Sequence, residues 1–356
     1  MHTWGDRTVS RRQALALSLS AGATLALTPA LLAALRQDGK QPTSQPTPKL
    51  KLLQRAIPSS GELLPVIGLG RGPDKVDHEA FKEVLKTLID HGGKLVDTVH
   101  DTLGTGEKAA AAAAVELGVH DRIFWSLRGT VPGPPQPGTD RLKASIEASF
   151  ERLKLPKIDL IQVHVSAPPS HLELLKDLKK QGRLRYIGVQ AGFDQQLPQL
   201  EAVMRKETID FVGIRYTPDS RKVEETILLL ALERKMGVLA YFPFGGNIGP
   251  GGVVTSSLFR RVGDAKLPEW AAEFDAKTWA QFFLKFIISH PAITAVRAGT
   301  TKPAHMLDNL QGGVGKLPDE ATRKRIVELV DALPPDPQAP APAGPGPGPG
   351  PAPARK

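Results

Sequence analysis

The sequence predicts an α/β chain folded as a (β/α)8 TIM barrel, and three observations carry that expectation. Short apolar runs alternate with amphipathic stretches of helical period, the mark of βα units around a parallel sheet. Eight such units can be read along the chain, and eight close into a barrel more naturally than they lie in an open sheet. Polar residues then gather at the C-terminal ends of the apolar runs, where a barrel collects its chemistry.

The first strand is read at 65–69 (PVIGL), followed by a helix over 77–91 with Phe81, Val84, Leu85 and Leu88 on one face. The second strand, 94–97, ends on Asp97, and Gly104-Thr105-Gly106-Glu107 opens an alanine-rich helix at 108–115. The third strand, 122–127 (RIFWSL), is followed by Arg128 and by a helix over 139–153 opened by Thr139-Asp140. The fourth, 158–164 (IDLIQVH), ends on His164 and leads into a helix over 170–181, with Ser170 as cap and Gly182 as stop. The rhythm continues with strand 186–189, helix 197–205, strand 210–214, helix 223–235 and strand 237–241. Helix 278–289, an eighth strand at 293–296 and helix 303–309 complete it. The insertion 244–275, which carries GGNIGPGG, reads as a mobile flap over the barrel mouth.

At 356 residues and 41% hydrophobic content, the chain can bury a large core and exceeds the roughly 250 residues that one barrel needs. The surplus lies at the ends. In 1–36, Ser10-Arg11-Arg12-Gln13 precedes an uncharged apolar run at 14–35. Paired arginines before such a run read as a twin-arginine export signal, or as an uncleaved membrane anchor, since the run is long enough to span a bilayer. Residues 37–55, with QPTSQPTP, read as a polar linker. The barrel is assigned to 56–333, and 334–356 is a Pro/Ala/Gly tail expected to stay extended and solvated.

Composition also excludes function classes. The net charge of +9 is not concentrated in one basic block, and aromatics make up only 5% of the chain, so no nucleic-acid partner is expected. With no cysteine there is no disulfide, no thiolate metal site and no cysteine nucleophile. His164 and His171 lie seven apart across a strand end, which is not metal-ligand spacing, and no metal site is expected. The glycine cluster at 245–252 lacks the lysine of a phosphate loop, and Gly68-Leu69-Gly70 is only half of a dinucleotide fingerprint.

Asp97, Arg128, His164 and Tyr241 stand at the ends of strands two, three, four and seven. Taken singly, each has an ordinary structural role: a strand-end Asp caps a turn, and a strand-end His or Tyr packs. Closing the barrel brings them to one mouth, and that convergence makes them a candidate site.

GELLPVIGLG at the first strand, LVDT and GTGE around the second, DLIQVH at the fourth, GRLRYIGV at the fifth and AGTTKPAHMLDN at the end resemble the aldo/keto reductases. The resemblance covers roughly 57–333, with the motifs in the family's order. The segments LFRRVGDAKLPEWAAEF and WAQFFLKFIISHP further resemble exported, twin-arginine-signal members of that family. It implies carbonyl reduction by hydride from NADPH, with an Asp, a Tyr that gives the proton, a Lys that lowers the Tyr pKa, and a His that positions substrate. Asp97 matches the Asp and His164 the His. Where the Tyr belongs stands Asp101-Thr102-Leu103-Gly104, and where the Lys belongs stands Arg128. A threonine hydroxyl at Thr102 is far too weak an acid to replace a phenol of pKa about 10. Arg128 keeps the charge and can hold Asp97 with a two-pronged pair, in a different geometry.

The same resemblance assigns cofactor residues. Tyr241 matches the aromatic that stacks on the nicotinamide, and Gly299, Thr300, Lys302, His305 and Asn309 match the run that holds the adenosine 2′-phosphate and adenine. A helix start there suits an anion. The Ser-Asn pair that grips the carboxamide is Gln190-Ala191 here, and a Gln on the sixth strand is Gly213, which leaves Gln190 to supply an amide. The chain has three tyrosines, Tyr186, Tyr216 and Tyr241. Tyr216 and His100 are the candidate substitute acids, His100 the better placed by pKa and loop position.

Two readings follow. One is an exported NADP-dependent oxidoreductase acting on a small carbonyl or alcohol, with a redox partner to regenerate its cofactor. The other is a non-catalytic barrel that binds a nicotinamide cofactor, a small ligand or a partner protein in the cell envelope. Asp97, His164, Tyr241 and the 300–309 run favour the first; the absent Tyr, Arg128 and Gln190-Ala191 favour the second.

Overall fold

The computed structural model describes residues 49–70, 77–100, 105–129, 138–246 and 257–338. The stretch 1–36 read as an export signal or anchor, the linker as far as residue 48, Thr102 and the GPGPGPGP stretch lie outside the described residues. Among the described residues no helix is long and apolar enough to cross a membrane.

Eight parallel strands close into a barrel: β3 (Ile67–Gly70), β4 (Leu95–His100), β5 (Phe124–Gly129), β6 (Ile158–His164), β7 (Leu184–Ala191), β8 (Phe211–Arg215), β9 (Gly237–Tyr241) and β10 (Ala295–Gly299). Each strand pairs with its sequence neighbour, and β10 returns to pair with β3. A short antiparallel hairpin, β1 (Gln54–Ala56) and β2 (Leu63–Pro65), precedes them. Because it belongs to the fold, and because Leu50, Leu52 and Leu53 pack on the core, the linker ends before residue 49 rather than at 55.

The helices form the outer ring: α1 (His78–Asp90), α2 (Thr105–Glu116), α3 (Asp140–Leu153), α4 (Pro169–Lys180), α5 (Leu197–Lys206), α6 (Ile227–Glu233), α7 (Leu258–Val262), α8 (Trp279–Ser289), α9 (Pro303–Gln311) and α10 (Glu320–Asp331). Local chemistry sets their ends. Asp77 caps α1 by accepting from the amides of Glu79 and Ala80. Gly182, at φ 74, makes the left-handed turn after α4. Two expected caps differ: α4 starts at Pro169, whose ring presets the first helical φ, so Ser170 lies inside the first turn. Thr139 flanks α3 without a side-chain cap bond.

Strand alternation divides the side chains into two sets. Leu95, Phe124, Leu160, Tyr186, Phe211, Leu239 and Ala295 point inward and fill the lower barrel, where Ile57 and Leu64 of the hairpin region plug it. The next residue on each strand, such as Val96, Trp125 or Ile161, packs outward on the helices. The period of two therefore turns Asp97, Ser126, Arg128, Gln162, Tyr241 and Arg297 into the upper barrel. Strands two and three accordingly run past the ends that the apolar runs suggest: Asp97 is the third of six residues in β4, and Arg128 lies inside β5, which is shifted two residues along rather than lengthened.

The described part of the insertion is packed rather than flap-like. Phe259 lies between Phe244 and Phe283, with ring centroids 4.9 and 6.0 Å away. Asp336 accepts from the Ser257 amide at 2.6 Å and from Arg260 Nε at 2.7 Å. That clamp holds Asp336 to the body, so the stretch read as a solvated tail from 334 is packed at Asp336. The glycine-rich stretch 247–256 lies outside the described residues.

Helix α8 is buried on almost every side, with Lys285 at its centre fully enclosed. Its ammonium donates to the carbonyls of Val314 and Lys316, the latter at 2.9 Å. Burial pushes the Lys285 pKa down to about 8. Between that value and the ordinary lysine range the unfolded chain binds more protons than the folded one, so this group makes stability rise with pH. Wild-type protein should therefore gain melting temperature relative to Lys285→Met between pH 8 and pH 10. Parallel melting curves for the two proteins across that range would refute the assignment.

Candidate active site

The upper barrel is built around one carboxylate. Asp97 is fully buried, with Arg128 Nε 3.2 Å and Arg297 Nε 3.1 Å from its Oδ2. Ser126 Oγ donates to Oδ1 at 2.7 Å. Arg128 comes from β5, beside β4, whereas Arg297 comes from β10, so the carboxylate joins two arcs of the barrel. A buried carboxylate needs such partners, because an unpaired charge in this environment is far costlier than a paired one.

Tyr241 lies against this pair. The Arg297 guanidinium carbon is 3.9 Å from its ring centroid and that of Arg128 is 5.4 Å away. Its hydroxyl accepts from Gln162 Nε2 at 2.6 Å. Gly213 provides the room: a Cβ there would stand 2.3 Å from the Tyr241 hydroxyl. Burial, together with the Asp97 charge, raises the Tyr241 pKa above the ordinary phenol range. The ring has no exposed surface, so the expected stacking of a nicotinamide on Tyr241 does not fit this arrangement without moving Arg297.

The other tyrosines are also committed. Tyr216, expected as a substitute acid, is buried on the outer side of the barrel against Phe286 and His290. It donates to Glu224 and accepts from Arg323 Nη2 at 2.8 Å, and burial raises its pKa. Tyr186 faces the lower barrel and bonds Glu62 at 2.8 Å. It sits third in β7, not at the strand's head. His100 ends β4, and its side chain lies outside the described residues.

His164 ends β6 as expected. Its Nδ1 meets Ser166 Oγ at 2.6 Å and its Nε2 meets the Gln196 amide nitrogen at 3.2 Å. Burial lowers its pKa, the Gln196 contact only partly opposing that, so the neutral imidazole is favoured. His164 shares the mouth with Asp97 and Arg128 but bonds neither. Gln190, its register neighbour on β7, is nearly buried.

Gly299, Thr300, Lys302 and His305 gather where β10 passes into α9. Thr300 Oγ1 accepts from the Lys302 amide at 3.1 Å, which shapes the turn, and the Lys302 and His305 side chains are exposed. This end fits a phosphate: an ammonium stands at the start of a nine-residue helix. Asn309, by contrast, is buried, so its expected contact with adenine does not fit. The cofactor's phosphate end thus fits and its nicotinamide end does not.

Among the described residues one triplet, His78, Glu79 and Glu116, has metal-ligand proximity. Lys82 already fills it, bonding Glu79 at 2.8 Å and Glu116 at 3.3 Å. It is an ion-pair cluster on the outside of α1 and α2.

Sequence reasoning missed Arg297, because strand eight was ended at 296. The signal was present: Ala295 and Arg297 are two apart and face the same way. Replacing Asp97 by Asn removes the carboxylate that both guanidiniums share, at a cost of about 3–5 kcal/mol. Urea unfolding should register that loss, and removing Arg297 as well (Asp97→Asn with Arg297→Met) should recover part of it; an unchanged Asp97→Asn midpoint would sink the clamp.

With this geometry in hand, comparison with known proteins is informative. The family model described as "Aldo/keto reductase family" matches residues 66–329. Aldo-keto reductase YhdN of Bacillus subtilis is 27% identical over 175 residues, covering 46% of this chain and 52% of that protein, so the match spans about half that relative's length. An aldo-keto reductase of Gibberella moniliformis is 25% identical over 312 residues, 78% of this chain and 92% of the relative. Among solved structures, the holo form of aldo-keto reductase AKR11C1 from Bacillus halodurans superposes with a TM-score of 0.62 at 18% identity, covering 78% of this chain and 96% of that one. An aldo-keto reductase from Klebsiella pneumoniae in complex with NADPH gives a TM-score of 0.60, also at 18% identity and with the same coverages. The barrel is theirs, and the match over 66–329 makes this chain a member of the aldo/keto reductase family.

Proposed function

We propose that this chain binds NADP(H) and moves hydride between it and a small carbonyl or alcohol, as an oxidoreductase with a rebuilt barrel mouth. The observation that carries the reading is Lys302 at the start of α9, exposed beside the end of β10. Membership of the family supports it, and so does the relative from Klebsiella pneumoniae seen with NADPH. When bound, the cofactor supplies the hydride.

The residues of the chain set the rest. Arg128 and Arg297 concentrate positive charge where a carbonyl oxygen would gain negative charge, which is electrostatic assistance rather than proton donation. His164, favoured in its neutral form, lines the mouth with both ring nitrogens engaged, Nε2 accepting from the Gln196 amide and Nδ1 meeting Ser166, so its part is to shape the mouth rather than to donate to substrate. Among the described residues no phenol is placed to give a proton, which leaves His100 or solvent as its source. The 3.9 Å contact of Arg297 with the Tyr241 ring favours a second reading, a barrel that binds a small ligand or partner without turning it over. The paired arginines at Arg11-Arg12 support export through the twin-arginine route as a folded protein, in which case a cofactor acquired in the cytoplasm must be held tightly and recharged by a redox partner.

Cofactor fluorescence titrations test the reading. NADPH should bind in preference to NADH, and Lys302→Ala should weaken NADPH by about tenfold or more, as expected for one charge-assisted hydrogen bond, with little change for NADH. If neither dinucleotide binds, the oxidoreductase reading fails and the binding-barrel reading stands.

A further inference from the structure

Arg128 uses only one side of its guanidinium on Asp97. The Nε edge faces the carboxylate at 3.2 Å, and the group also lies beside the Tyr241 ring. Among the described residues Nη1 and Nη2 have no hydrogen-bond partner. The residue is nevertheless only 9% exposed. Arginine presents donors in a rigid fork, and its Nη1–Nη2 end is the edge that matches a carboxylate with two parallel bonds. Nε is the fully buried nitrogen of the group, and the Nη edge keeps contact with solvent at the barrel mouth.

The local charge points the same way. The charged groups that act on Tyr241 are Asp97, Arg297 and Arg128, two guanidiniums to one carboxylate. Arg128 stands next to last in β5, at the end of the barrel where ligands enter. His164, ending the adjacent β6, stands at the same mouth without charge to compete, its ring nitrogens held by Gln196 and Ser166.

We infer that the Nη edge of Arg128 is a carboxylate-binding point, and that the ligand of this barrel is a small carboxylic acid bearing a second polar group, of the 2-oxo or 2-hydroxy acid class. Asp97 holds the Nε side of the group by an ion pair at 3.2 Å, without a hydrogen bond, and Arg297 adds attraction for the anion. The oxo or hydroxy group rests on the oxidoreductase reading above; the anion point does not.

The test is calorimetric titration of the full chain, without cofactor, using pyruvate and its neutral counterpart methyl pyruvate. Pyruvate should bind about 10- to 100-fold more tightly, the range for a hydrogen bond to a charged group. Arg128→Gln should remove that preference, and Arg128→Lys, which keeps charge but loses the fork, should restore it only in part. Equal binding of the two compounds, or binding of neither, overturns the inference. So does an Arg128→Gln protein, folded by circular dichroism, that still prefers pyruvate. Should Arg128→Gln fail to fold, the wild-type comparison decides alone. Preference for pyruvate with no NADPH binding would keep the anion point and reject the oxidoreductase; NADPH binding without a carboxylate preference would reject the anion point and keep the enzyme.

Discussion

The pairing of one buried carboxylate with two guanidiniums governs the upper barrel. Asp97 has no exposed surface, and its Oδ2 has arginine nitrogens at 3.1 and 3.2 Å, from opposite directions around the sheet. Remove the carboxylate and two cations face each other in a medium that screens poorly. Remove both cations and the carboxylate is left an unpaired buried charge, which is costlier than a paired one. Neither Ser126 nor Gln162 carries charge, so they adjust to this unit rather than set it. Tyr241 then takes the place left for it, above Gly213 and beneath Arg297.

That arrangement decides what chemistry is within reach. A reductase of this architecture needs a flat site for the nicotinamide and an acid for the carbonyl oxygen. The ring that would offer the flat surface is covered by a guanidinium, and each tyrosine is held elsewhere: Tyr186 by Glu62, Tyr216 by Glu224 and Arg323, Tyr241 by Gln162. Burial raises the pKa of all three, the wrong direction for a proton donor near neutrality. What remains is concentrated positive charge, which stabilises an anion in the ground state as well as in the transition state.

The barrel was legible in the sequence because hydrophobic periodicity survives tertiary context. Strands at 158–164 and 237–241 match the observed bounds, the first because Ile158, Leu160, Ile161 and Val163 spread apolar residues along its length, the second because it is apolar throughout. Strands two, three and eight end later than expected for a common reason: their upper halves carry Asp97, Arg128 and Arg297, and polar residues there look like loop when only burial of apolar side chains is considered. A period of two, continued past the polar residues, would have kept them in the strand and found Arg297. Side-chain orientation was therefore readable where contacts were not. Nothing in the residues around Tyr241 announced that Arg297 covers it, because that contact joins β9 to β10 across more than fifty residues. The fit of Lys302 at the start of α9 was readable, whereas the burial of Asn309 depends on how that helix lies on its neighbours.

Replacing a lysine by an arginine at position 128 changes more than size. An ammonium is a compact charge whose donors rotate freely, so a lysine bound to Asp97 can share its remaining donors with whatever lies near. A guanidinium is planar, and fixing its Nε on Asp97 also fixes where the Nη edge points. The same ion pair that holds the barrel together thereby aims a second, preformed donor pair. A proton relay would need the opposite property, a group whose pKa responds to its neighbours near neutrality, and arginine lacks it. The substitution thus trades proton management for directional anion recognition, and the fold bears it because Asp97 and Arg297 keep the buried charges paired.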